Sequence, residues 1–114
     1  MPFDPREFLA LAGQLLTGTA TEGALRTAAS RAHYALHLRA RQSLAARRLM
    51  TPTGTGKDHM LVITTLRSHG GAGGDIVDSL RRLRIRSDYR IKQPISAAEA
   101  GRAVSLATSV YSRL

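Results

Sequence analysis

Apolar residues recur along this chain at intervals of three and four rather than at every second position, a spacing that predicts helices throughout. The second helical segment shows it best. Leu25, Ala29, Ala32, Leu36 and Ala40 share one face, while Tyr34 and Leu38 project from nearly the opposite side. A helix of that kind is covered twice, either because it threads the centre of a bundle or because one face is the seam of a homodimer. Its small Ala-rich stripe permits close helix approach in both cases. Further along, Ile76, Val77, Leu80 and Leu83 form another apolar face, with Arg84 at its edge and Asp88 one turn on, where an i,i+4 ion pair can form.

Three start signals divide the chain: Asp4-Pro5-Arg6-Glu7, Thr19-Ala20-Thr21-Glu22 and Ser96-Ala97-Ala98-Glu99, each pairing a capping oxygen with a Glu at the third helical position. With Thr17-Gly18, Thr51-Pro52 and the glycines Gly70, Gly71, Gly73 and Gly74 as breaks, the helices fall at about 5–16, 20–50, 57–68, 75–89 and 97–112. No segment alternates with period two for long enough to form a strand. The expected fold is all-α, an antiparallel four-helix bundle with an extra short N-terminal helix, built as one domain over 1–114.

Composition adds a partner class to this picture. The 114 residues carry a formal net charge of +9, and fifteen of the seventeen cationic side chains are Arg, whose planar fork suits phosphate. Arg39, Arg41, Arg47 and Arg48 on the second helix, and Arg81, Arg82, Arg84, Arg86 and Arg90 around the fourth, form the basic clusters. The partner they suggest is RNA or another polyanion, bound through its backbone, although the same surface suits an acidic protein. Cysteine is absent, which excludes disulfides and thiolate metal sites. Neither a signal-like N-terminus nor a run of about 20 apolar residues occurs, so a soluble cytoplasmic protein with no membrane contact is expected.

His33 and His37 stand one helical turn apart, a spacing that chelates metals, yet no Asp, Glu or Cys lies between Glu22 and Asp58 to complete a site; neither a metal nor a cofactor is expected. Gly54-Thr55-Gly56-Lys57 imitates a phosphate loop but lacks its first Gly, its final Ser or Thr and a preceding strand. With three Tyr, two Phe and no Trp, the chain has no broad platform for base stacking.

Arg31-Ala32-His33-Tyr34-Ala35-Leu36-His37, the loop before His59, and Arg84-Ile85-Arg86-Ser87-Asp88-Tyr89 resemble, in order and spacing, the signature segments of small HEPN-domain proteins. The likeness spans roughly 19–112, with His33 where the family pattern usually has Tyr and Ser87 where it has Ala. The resemblance implies a dimeric helical bundle of the toxin–antitoxin or defence kind, often paired with a nucleotidyltransferase-like or antitoxin partner. In many members it also implies metal-independent RNA cleavage. The Arg and His that nucleolytic members carry late in the bundle have no counterpart here, since no His follows Arg81. Two substitutes exist by spacing, Arg26 with His33 and Arg31 with His37, about 10.5 Å and about 9 Å apart along the helix axis.

The positions matching the family segments make Arg31, His37, Arg84 and Asp88 the leading catalytic candidates, at a cleft between subunits. Arg31 and Arg84 would hold phosphate and His37 would move protons. His33, Tyr34, His59 and Tyr89 form a second tier. Arg39, Arg41, Arg47, Arg48, Arg81, Arg82 and Arg86 are the expected nucleic-acid contacts. Two functions remain open: an RNA-binding protein that acts as a metal-independent endoribonuclease, and a catalytically silent helical module that docks a nucleotidyltransferase-like or antitoxin partner.

Overall fold

In the computed structural model, which describes residues 2–69 and 71–114, the helical periodicity resolves into five α-helices: α1 (Arg6–Leu15), α2 (Glu22–Ala46), α3 (Lys57–Ser68), α4 (Gly73–Tyr89) and α5 (Ala97–Val110). A 3-10 turn, Tyr111–Arg113, follows the last of them. Gly70 of the expected glycine-rich break lies outside the described residues. Among those residues there is no strand, and no helix is long and apolar enough to cross a membrane.

Local chemistry explains most helix ends. Ser96 and Glu99 make the reciprocal capping box that opens α5. At α2 the cap is Thr21, whose Oγ1 accepts the Ala24 N–H at 3.2 Å, rather than Thr19. Glu22 is then the first helical residue, and its carboxylate reaches outward to the Ile95 N–H at 3.0 Å. Asp4 likewise does not make the expected box: its Oδ1 accepts the Arg6 N–H at 2.9 Å and the Tyr111 hydroxyl at 3.3 Å, fastening the start of α1 to the end of the chain.

α2 stops at Ala46, short of the expected 50, through a Schellman-type turn. The Leu49 N–H donates to the Leu44 carbonyl at 2.9 Å and the Arg48 N–H to the Ala45 carbonyl at 3.0 Å. Arg48 takes the left-handed conformation at φ 59°, a position usually given to Gly. Leu49 packs down on the core that contains Leu44, which completes the turn.

α2 runs through the middle and packs against α1, α3, α4 and α5. Of the two arrangements open from its pattern, the bundle centre is the one observed. Leu25, Ala29, Ala32, Leu36 and Ala40 are all buried, with Leu44, Val62, Ile63, Val77 and Leu80 around them. A smaller cluster of Leu25, Ile95 and Ala100 closes the end near the α4–α5 loop. Where α3 crosses α4, a Cβ on Gly74 would sit 2.9 Å from the Ile63 carbonyl oxygen, so the approach of the two helices depends on glycine.

Replacing Arg48 with Gly removes the left-handed strain and is expected to stabilise the fold by about 1 kcal/mol. A urea midpoint that rises with an unchanged slope would confirm it, and an unchanged or lower midpoint would show that the Arg48 side chain offsets the strain.

Candidate functional site

Five polar residues of α2, Arg26, Ser30, His33, His37 and Arg41, follow one another at steps of four, three, four and four. At 3.6 residues per turn they fall, together with Tyr34, in one sector roughly 100° wide and about 22 Å long. This stripe is turned inward against α4 and α3, so the central helix buries a polar seam alongside its alanines. A buried polar group without a partner is costly, and the partners determine what each residue does.

At the upper end, Arg26 binds the C-terminus of α4. Its guanidinium donates to the carbonyls of Ser87 at 2.8 Å, Arg86 at 3.1 Å and Gln93 at 2.6 Å. It therefore satisfies the Ser87 carbonyl left open at the helix end, shares that of Arg86 with the Arg90 N–H, and sits at the negative end of the α4 dipole. Arg26, which spacing paired with His33, thus has its guanidinium engaged by backbone carbonyls within the fold.

One turn on, the Ser30 hydroxyl donates to Asp88 Oδ2 at 3.1 Å, and Arg84 stands 3.9 Å from the same oxygen. The expected Arg84–Asp88 pair is therefore loose and shared. Arg84 itself is buried, with 7% exposed.

Tyr34 holds the middle of the seam. The Arg31 guanidinium carbon lies 4.8 Å and that of Arg84 5.3 Å from its ring centroid, and Arg31 also lies 4.9 Å from the Phe8 ring of α1. Beside Tyr34 three imidazoles are layered: His37 and His59 stack with centroids 4.1 Å apart, and His33 lies 5.4 Å from His59 and 5.8 Å from His37. Burial, reinforced by neighbouring His37 and Arg84, lowers the His33 pKa to about 2. Burial, with His59 and Arg41 nearby, lowers that of His37 to about 4, and His59 is lowered for the same reason, with Arg84 and Arg81 adding to it. All three rings are neutral at pH 7. Their Nδ1 atoms and Arg84 Nε are buried without a hydrogen-bond partner among the described residues.

At the lower end Arg41 faces Asp58 at 3.7 Å. Asp58 accepts the Thr53 N–H at 2.8 Å, the Thr53 hydroxyl at 2.7 Å and the Gly54 N–H at 3.0 Å, and these bonds hold its carboxyl below the usual range. The segment that imitates a phosphate loop thus wraps the protein's own carboxylate.

Arg31, His37 and Arg84 therefore come together, joined by His33, Tyr34 and His59, with Asp88 at the margin. Tyr89 stays apart at 69% exposed. Among the expected nucleic-acid contacts, Arg81 and Arg82 share the buried Asp78, which also pairs with Arg67. Arg86 binds Glu99 and the Pro94 carbonyl, and Arg39 lies over the Tyr111 ring. Arg47 and Arg48 are exposed and have no carboxylate within 4 Å among the described residues.

Chemically, the cluster offers two guanidiniums beside three proton-accepting rings, and of its members only Arg31, Tyr34 and His59 are partly exposed. His33 and His37, at 1% and 3% exposed, do not reach solvent in this packing. Among the described residues no three His, Asp or Glu side chains are grouped to hold a metal ion. Sequence reasoning missed Arg26, Ser30 and Asp58 as seam members. The signal for the first two was the regular spacing of polar residues from Arg26 to Arg41, which the interleaved alanines obscured. Asp58 gave no such signal.

Two outcomes follow from this seam. A histidine whose folded pKa lies below its unfolded value of about 6.5 leaves the folded chain with fewer protons than the unfolded one in between. Its stabilising effect is whole above that value and is lost as pH falls towards the folded pKa. Between pH 7 and pH 5, His33 and His37 together should withdraw roughly 3 kcal/mol, read as a falling urea midpoint. His37→Leu should flatten that fall by about half, and a midpoint constant across this range would contradict the buried neutral rings. Separately, Arg26→Ala should cost about 2–3 kcal/mol in thermal or urea unfolding, with Arg26→Lys recovering less than half, because an ammonium cannot fork across several carbonyls. No protein-family model matches this chain, and comparison with curated proteins and with solved structures returned no match.

Proposed function

We propose that the chain is a HEPN-type bundle, with α2 to α5 as its four-helix unit and α1 as the added helix, that binds RNA through the phosphate backbone. The observation that carries this reading is the pairing of Arg31 and Arg84 on one Tyr34 ring, with Asp88 as a single distant counter-charge. Two guanidiniums gathered at one ring, short of carboxylate, are suited to an anionic oxygen. Arg47 and Arg48, just past the end of α2, add positive charge and supply contacts that are tolerant of sequence and sensitive to salt.

Endonucleolytic cleavage is the further step of this reading. Arg31 and Arg84 hold phosphate in it, and His37 moves protons at a cleft completed by a second copy of the chain. His37 must then be uncovered from the His59 ring stacked on it. The second reading, a catalytically silent module for a nucleotidyltransferase-like or antitoxin partner, is favoured by the near-complete burial of His37 and the internal pairing of Arg41, Arg81, Arg82 and Arg86.

Labelled single-stranded RNA and transfer RNA, incubated with the protein in chelator at low and moderate salt, separate these readings. A salt-sensitive gel shift is expected. Joint Arg47→Ala and Arg48→Ala replacement should lower the slope of log affinity against log salt by about 2, one for each arginine–phosphate pair removed. Arg31→Ala should weaken binding about tenfold. Fragments that vanish in His37→Ala would establish the nuclease step; intact RNA throughout would remove that step, and no shift at low salt would overturn RNA as the partner.

A further inference from the structure

α5 packs chiefly on α2 and barely touches α4, which leaves a groove of about 470 Å³ between α4 and α5 that none of the α2 histidines lines. Leu80, Leu83, Ala103 and Leu106 lie along it, and Leu106 is 38% exposed. Arg82, Arg86 and Arg102 line its edges.

The charge on those edges is one-sided. Glu99, the carboxylate in the groove, is taken up by Arg86 and by the Ser96 cap at the start of α5. Arg82 touches Asp78 at 2.8 Å, but its side chain is 76% exposed. Arg102 has no carboxylate within 4 Å among the described residues. The groove therefore combines an apolar floor with a cationic rim.

We propose that the α4–α5 groove docks an amphipathic helix of a partner protein, with leucine-like side chains on its inner edge and Asp or Glu on its flanks. A cleft between two helices accepts the ridge of a third, and the apolar anchors then supply affinity while the flanking carboxylates meet Arg82 and Arg102. RNA fits this place less well, because the floor is aliphatic and no aromatic ring lines it to stack a base. A second copy of the chain fits poorly too, since each copy would bring the same guanidiniums to the contact in a protein of net charge +9. This docking face is separate from the Arg31–Tyr34–Arg84 cluster and does not depend on the RNA reading.

The test uses the whole protein and a synthetic helical peptide with Leu at i, i+3, i+4 and i+7 and Glu on both flanks, beside the same peptide with Lys in place of Glu. Fluorescence anisotropy should give micromolar binding for the Glu peptide and none for the Lys peptide, and amide shifts in the labelled protein should centre on Leu83, Arg102 and Leu106. Arg102→Glu and Leu106→Glu, both at exposed positions, should each weaken the Glu peptide about tenfold while melting normally and shifting RNA like the parent. Equal binding of the two peptides, shifts elsewhere, no binding, or indifference to Leu106→Glu would overturn the proposal. So would RNA affinity that falls with Leu106→Glu, or a dimer that the same substitution dissociates in sedimentation, since the groove would then belong to RNA or to a second copy.

Discussion

The structure depends on accommodating the polar seam of α2, because α2 packs against all four other helices and the seam is turned into that packing. Each residue is settled by a different device. Arg26 meets helix-end carbonyls, Ser30 meets Asp88, Tyr34 meets two guanidiniums, and Arg41 meets a carboxylate that is itself held by backbone amides. The histidines are settled by losing their charge. Protonated rings 4.1 Å apart would repel each other and Arg84, so neutrality is the condition under which α3 can lie on α2.

That arrangement distributes charge unevenly. Three of the chain's eight carboxylates are engaged within the fold, Asp58 by a loop, Asp78 by three arginines and Glu99 by Arg86 and the Ser96 cap, while Asp4, Glu7, Glu22, Asp75 and Asp88 lie exposed. Among the described residues Arg47, Arg48 and Arg102 have no carboxylate within 4 Å and stay exposed. Part of the protein's excess positive charge is thus displayed without a counter-charge, at Arg47 and Arg48 just past α2 and at Arg102 on the rim of the α4–α5 groove.

Helix number, the apolar face of α2 and the capping box at Ser96 were legible in the sequence because each is a local relation within a few residues. The end of α2 was not, since an arginine rather than a glycine takes the left-handed position there. Nor was the start of α2, where Thr19 and Thr21 offer the same hydroxyl and Glu22 is claimed by the distant Ile95 N–H. The candidate site was half legible. The place of Arg84 beside the apolar face of its helix could be read from periodicity, yet the gathering of Arg31 and Arg84 at Tyr34 and the commitment of Arg26 to carbonyls some sixty positions away are tertiary contacts that helical periodicity does not encode.

The partners of Arg26 lie 60, 61 and 67 positions further along the chain, so this contact cannot close until α4 and the loop after it exist. During synthesis α1 and α2 are completed first and wait with the seam facing water. An all-apolar α2 would spend that interval as a sticky surface. A stripe of arginine, serine and histidine is instead well hydrated until its partners arrive, so the residues that are hardest to bury in the finished bundle are those that keep the unfinished one dispersed.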